Sequence, residues 1–276
     1  MSKGFKLLRV EYVFSVVVPC LFAIYLNDYD LLTHIEFIGG FAFWAICGNT
    51  LNDLKDMDDP DDIETQERTR GYRKKEIAML SLTGFMLGAA CFINPVLNNP
   101  IILLYLISIA GMVILYCIAL KPVVVINWVL LGISHMWFPY FIIKIHAGDS
   151  INNLWPVLYL HEWFLLALGS TMALAGNLIH EMVDKDAITH YSLKIQQLIL
   201  WGVALTALIL GAIALFIFTS YTIYFLPFLL FPLGIIYLGR SQNAIKSHQG
   251  KTSLKDVGII AGNMFFAFFL ILILSP

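Results

Sequence analysis

The chain has 276 residues, of which 59% are hydrophobic and only 13% charged, with a mean hydropathy of +0.79 and a net charge of −2. A soluble domain carries about 25% charged residues, so this composition excludes one and describes an all-α integral membrane protein. The basic residues are scattered through short segments without forming a basic face, which excludes nucleic acid as a partner.

A helical span needs roughly 20 apolar residues. That rule predicts nine transmembrane helices, at about 9–26, 35–53, 76–94, 101–119, 124–143, 161–181, 196–219, 222–238 and 257–275, in one domain covering 1–276. The first run is flanked by Lys3, Lys6 and Arg9 and lacks a small-residue cleavage site, so a retained span is expected rather than a signal peptide. Helix is the only secondary structure compatible with this many spans, because backbone in lipid must satisfy its own hydrogen bonds. With the N-terminus cytoplasmic, nine spans put 16 of the 17 Lys and Arg residues on the cytoplasmic side, all except Lys144. Such asymmetry obeys the positive-inside rule and would be scrambled by a missed or extra span.

The second span runs into the most charged stretch of the chain, Asn49 to Lys75, with eight acidic and six basic residues. If the helix continues to Asp56, then Asn49, Asn52, Asp53 and Asp56 sit at i, i+3, i+4 and i+7 and share one face. The same spacing recurs at the end of the sixth span, in Asn177, His180, Glu181 and Asp184. Both stripes fall on the predicted cytoplasmic side and can therefore meet. Five further acids of the loop, Asp58, Asp61, Asp62, Glu64 and Glu67, are read as mostly solvated.

Clustered carboxylates at a bilayer boundary are costly and need a positive counterpart. Carboxylate and amide oxygens are hard ligands that suit Mg²⁺ or Ca²⁺. Mg²⁺ characteristically completes its shell with waters and substrate phosphates, so a phosphorylated ligand is expected. Arg68, Arg70, Arg73, Lys74, Lys75, Lys121 and Lys185 are cations close enough in sequence to hold the same anion. A pyrophosphate clamped in this way becomes a better leaving group. An apolar cavity between helices would accept its lipid tail.

These residues resemble the UbiA superfamily of intramembrane prenyltransferases. Asn52-Asp53-Leu54-Lys55-Asp56, followed by a charged loop and Arg68-Thr69-Arg70, is similar to that family's first aspartate-rich motif. Asn177 to Asp186 is similar to the second, and Tyr116 with Lys121 to its tyrosine–lysine element. The resemblance implies a nine-helix bundle with a central cavity, a multi-pass protein in the lipid bilayer whose active site faces the cytoplasm, and Mg²⁺-dependent transfer of an isoprenyl chain from a prenyl pyrophosphate. The implied acceptor is lipophilic or aromatic, a quinone precursor first. It also implies Asn52, Asp53, Asp56, Asn177, Glu181 and Asp184 as metal ligands, the four acids among them being catalytic. Asn52, Arg68, Arg70, Tyr116, Lys121 and Lys185 would bind the pyrophosphate. The first motif departs from the pattern at Pro60, where its last aspartate would stand, so Asp59 or Asp61 substitutes or the role is vacant. Gly71-Tyr72 replaces a proline-leucine pair, and Ile188 stands where a further aspartate is common.

Two rivals share these features. A membrane terpene cyclase would use the same metal and donor without an external acceptor. A divalent-cation transporter would use the acidic stripes as its ion site, but would place acids at mid-membrane rather than at helix ends. Gly250-Lys251-Thr252 resembles the end of a P-loop, yet lacks the earlier glycine and is read as loop. His135 and Trp137 in the fifth span are read as internal packing, with an acceptor-facing role as the alternative.

Overall fold

The computed structural model describes residues 3–60, 62–120, 123–184, 187–218, 229–240 and 246–275. Between turns and short connections the described residues are helical, with one two-stranded ribbon, Ser150–Ile151 with Trp155–Pro156, in the turn that precedes the longest acidic-ended helix. In chain order the helices are α1 (Lys3–Leu8), α2 (Phe14–Leu26), α3 (Ile35–Asp56), α4 (Ile63–Thr69), α5 (Lys74–Asn98) and α6 (Ile101–Leu115). They continue with α7 (Val124–Gly132), α8 (Phe138–His146), α9 (Leu160–Asp184), α10 (Leu193–Ile217), α11 (Leu230–Gly239) and α12 (His248–Leu274). A π turn, Tyr116–Leu120, extends α6, and another, Ile133–Trp137, joins α7 to α8 within one continuous span.

Seven described helical stretches are long and apolar enough to cross a membrane: 6–26, 74–98, 101–120, 125–146, 160–183, 193–217 and 249–274. The expected second span, α3, falls short of that standard because Glu36, Asn49 and Asn52 dilute its apolar residues. Much of the expected span 222–238 lies outside the described residues. The predicted acidic helix does continue to Asp56, giving α3 its 22 residues.

Helix α2 is buried on all sides through Val17, Leu21, Phe22, Ala23 and Ile24, as a helix apolar around its whole circumference must be. It packs against α3, α8 and α12. Helix α3 lies along α5, and small residues permit the approach. A Cβ on Gly88 would meet Trp44 Cδ1 at 2.2 Å, and one on Gly84 would meet the Phe43 carbonyl at 3.1 Å. The outward faces of α5, α6, α10 and α12 carry exposed Met86, Leu104, Leu198 and Met264, the surface that lipid would cover.

The ends of α2, α8 and α9 opposite the acidic stripes are joined by a buried polar knot. Lys144 Nζ, fully buried, donates to both Glu162 oxygens (2.8 and 2.9 Å) and to Asn27 Oδ1 (3.0 Å), and lies 2.9 Å from Asp149 Oδ2. Glu162 also accepts from the Tyr159 amide at 2.7 Å and from the Tyr140 hydroxyl. The one cation outside the positive-inside tally is thus neutralised within the protein. Near it, His34 lies 2% exposed with its Nδ1 3.1 Å from His146 Nδ1.

Breaking a buried ion pair at one partner costs about 3–5 kcal/mol, because the other charge is stranded. Lys144→Met is therefore expected to lower stability in detergent by about that amount, and adding Glu162→Gln should restore part of it; denaturant unfolding of both variants checks this. Burial, and then His146, push His34 down to about 4, below its unfolded value. The unfolded chain thus binds the extra proton first, and stability should be complete at neutral pH and fall as pH drops from about 6.5 toward 4. His34→Phe should flatten that part of the melting-temperature profile.

Candidate functional site

The acidic end of the bundle is assembled by the last turns of α3 and α9, the entry to α2 and the short helix α4. Asp53, on α3, has no exposed surface. Arg68, on α4, grips it with two bonds, Nε to Oδ2 at 2.8 Å and Nη2 to Oδ1 at 2.7 Å. Arg9 Nη1 donates to Asp53 Oδ1 at 3.3 Å, and Arg9 Nη2 lies 2.8 Å from His180 Nε2 on α9. One guanidinium therefore spans the two predicted stripes. Arg9 also lies over the Tyr12 ring, 4.5 Å from its centroid, and Tyr12 stacks on His180 at 5.6 Å.

Arg9 sits between α1 and α2 with φ 48°, in the left-handed region that costs an ordinary side chain energy. Its bonds to Asp53 and His180 hold it there. Two guanidiniums that share one buried carboxylate keep N–H groups that can also face an anion.

On α9, three neutral N–H groups converge on Glu181 Oε1: Asn127 Nδ2 (2.9 Å), Trp128 Nε1 (3.1 Å) and Asn177 Nδ2 (2.8 Å). Asn52 Oδ1 is buried and has no hydrogen-bond partner among the described residues. A buried carbonyl oxygen left in that state suits a cation or a ligand proton, so the donor set fits a hard metal ion. Among the described residues no group of three His, Cys, Asp or Glu side chains could hold an ion alone.

Asn49, Asn52, Tyr116, Asn177, His180 and Lys255 line a cavity of about 430 Å³ that continues between the helices over Phe41, Trp44 and His135. Both π turns form part of its wall, through Tyr116 and Cys117 on one and Ser134, His135 and Met136 on the other.

Of the residues expected from the sequence, Asn52, Asp53, Arg68, Asn177 and Glu181 therefore belong to this end of the bundle, and Tyr116 to the cavity wall. Asp56 closes α3, partly exposed, and Arg70 follows α4, exposed. Lys121 and Lys185 lie outside the described residues, as does the side chain of Asp184. Arg9, Asn127 and Trp128 escape sequence reasoning. Arg9 reads as an anchor at the edge of an apolar run, and the other two as isolated polar positions within a span.

The loop acids need correcting. Asp62 is not solvated: it is 4% exposed and caps α4, accepting from the Thr65 amide at 2.9 Å. Glu64 pairs with Lys255 on α12. Asp58 is exposed and pairs with Lys74, and Glu67 is exposed, as expected; Asp61 lies outside the described residues. Lys251, from the stretch read as loop, is in the first turns of α12 and donates to the Met182 carbonyl at 2.8 Å.

The profile of the UbiA prenyltransferase family matches residues 14–269. No curated protein matches. Among solved structures, a UbiA homologue from Archaeoglobus fulgidus bound to GPP and Mg²⁺ is similar with a TM-score of 0.63 at 14% identity, over 96% of this chain and 100% of the other. The same homologue bound to DMAPP and Mg²⁺ gives 0.61 at 14%, over 96% and 99%. A digeranylgeranylglyceryl phosphate synthase gives 0.59 at 16%, over 98% of each chain.

Because Asp62 caps the helix that delivers Arg68 to Asp53, Asp62→Ala should destabilise α4 by about 1 kcal/mol. The expected readout is faster amide exchange confined to residues 63–69, with the spanning helices unchanged.

Proposed function

Since the chain belongs to the UbiA prenyltransferase family, we propose that it transfers an isoprenyl chain from a prenyl pyrophosphate to an aromatic acceptor of the quinone-precursor class. The reading further takes the protein as a nine-span bundle with its N-terminus and site on the cytoplasmic side. The observation that carries it is the Arg9 bridge from Asp53 to His180, which draws the ends of α3 and α9 to one mouth of an apolar cavity.

Asn52, Asp53, Asp56, Asn177, Glu181 and Asp184 would hold Mg²⁺, the ion carried with a prenyl diphosphate by the similar archaeal protein. When bound, Mg²⁺ neutralises the charge that develops on the diphosphate as the allylic C–O bond breaks. Arg68 and Arg9, with Tyr116, Arg70, Lys121 and Lys185, would bind the same anion. The two arginines that hold Asp53 are then its counter-ions in one state and diphosphate ligands in the other. The bond pair leaves with the diphosphate, the acceptor supplies a new pair to the allylic carbon, and the acceptor's displaced proton passes to water. The aromatic wall of Phe41, Trp44 and Trp128 excludes water from the cation and lends it ring faces.

Incubating the purified protein with Mg²⁺, radiolabelled prenyl pyrophosphates of several lengths and an acceptor panel tests the reading. Asp53→Asn and Asp56→Asn should each cost about 100-fold or more in transfer per folded protein, Asp53→Asn with a loss of stability as well because it strands two arginines. Glu181→Gln should be nearly as severe. Full activity in either aspartate variant with Mg²⁺ still required would overturn the site assignment. A cyclic product from donor alone would replace transferase by cyclase, and metal flux in liposomes without any lipid pyrophosphate would replace both by a transporter.

A further inference from the structure

The span 125–146 widens to a π turn at Ile133–Trp137, and His135 stands at its centre. Single π turns inside helices recur at functional sites because they re-aim side chains at the cost of regular hydrogen bonding. Two contacts to α9 fix this one. Met136 packs over Gly169, where a Cβ would come within 2.1 Å of its Cε, and Trp137 Nε1 donates to Ser170 Oγ at 2.8 Å.

His135 itself is half-buried on the cavity wall. Its Nδ1 lies 2.8 Å from Ser134 Oγ, and the Ser134 hydroxyl reaches the Leu131 carbonyl at 3.5 Å. With the serine proton placed on the carbonyl, the imidazole proton falls on Nδ1 and Nε2 is a bare lone pair, the tautomer on which the inference rests. Among the described residues nothing bonds Nε2.

Its depth is informative. His135 is seven residues beyond Trp128, which donates to Glu181; at helical rise that is about 10 Å further into the bundle. Trp44, eight residues before Asn52 on α3, lies at about the same level. Its indole is fixed by a bond to the Phe85 carbonyl (3.2 Å) and by stacking on the Phe85 ring at 5.7 Å.

The geometry points to His135 Nε2 as the hydrogen-bond acceptor for a phenolic hydroxyl of the prenyl acceptor, selecting hydroxylated rings; this rests on the prenyl-transfer reading above. The distance from the Glu181 level accommodates the breaking C–O bond and one substituted six-membered ring. A hydroxyl held at His135 therefore belongs to a ring whose free carbon beside that hydroxyl faces the allylic centre. The hydroxyl of a glycerol lipid would itself be the nucleophile and could not sit so deep. Trp44 would offer the ring a flat neighbour.

The test uses full-length protein in phospholipid nanodiscs with Mg²⁺, labelled geranyl diphosphate and 4-hydroxybenzoate or 4-methoxybenzoate as acceptor probes. His135→Leu should raise the KM for 4-hydroxybenzoate about tenfold, the worth of one neutral hydrogen bond. The KM and binding of geranyl diphosphate should stay unchanged, and unchanged donor binding also reports that the variant is folded. His135→Gln, which keeps an acceptor oxygen at similar reach, should recover most of the loss. The methyl ether has no proton to give, so the wild-type protein should handle it as poorly as His135→Leu handles the phenol, a comparison that stands even if the leucine variant fails to fold.

An unchanged acceptor KM in His135→Leu, an equal rise in donor KM, or equal use of phenol and ether by the wild type would overturn the inference alone. So would wild-type turnover of the donor without a prenylated ring. No donor turnover at all would remove the prenyl-transfer reading, and this inference with it.

Discussion

A carboxylate without any exposed surface, shared by two arginines, organises one end of this protein. Asp53 draws Arg9 from the entry to α2 and Arg68 from the covering helix α4, and Arg9 passes the connection on to His180 of α9. Desolvating three charges together is tolerable only with close, directional bonds, and the fork geometry of guanidinium supplies them. The same arrangement sets two guanidiniums beside the acids of α3 and α9. An anion arriving at the mouth of the cavity would meet ligands already gathered around a metal-type donor set, including the unsatisfied oxygen of Asn52.

The two ends of the bundle are built on different principles. At the far end, Lys144 and Glu162 are fully bonded to each other and to Asn27, Tyr140, Asp149 and the Tyr159 amide. Among the described residues the Lys144 and Glu162 charges are satisfied within the knot, which ties three helix termini. At the acidic end the two arginines on Asp53 come from short or irregular segments, α4 and the entry to α2. Such segments have few apolar contacts of their own and open more easily than the spans they rest on. Rigidity at one end and yielding cover at the other suit a site that must admit a large amphiphile.

Much of this was legible in the sequence because helical periodicity is local. The i, i+3, i+4, i+7 offsets of Asn49 to Asp56 and of Asn177 to Asp184 depend only on the 100° step of a helix, and the charge bias of the loops depends only on topology. What escaped depends on contacts between segments far apart in the chain. Arg9 could not be told from an anchor, because its partners lie 44 and 171 residues away. Asp62 looked like any loop acid, since its role follows from where α4 begins. The π turns have no compositional mark; the alternative role considered for His135 could be weighed only once the Ser134 contact and the cavity wall were seen. Helix α3 shows the opposite limit, for the residues that make it chemically informative also weaken its signature as a span.

The pairing of Glu64 with Lys255 has a consequence for biogenesis. These residues are 191 positions apart, and α12 also meets the start of α2, where Asn263 Nδ2 donates to the Glu11 carbonyl at 2.8 Å. A nascent chain emerging from the ribosome can insert its earlier spans and even bring Arg68 to Asp53. The clasp that fastens α4 must wait until the twelfth helix has been synthesised and has entered the bilayer. Until that moment the mouth of the cavity has one wall missing, so a truncated translation product would retain the charged cluster but not the closure over it.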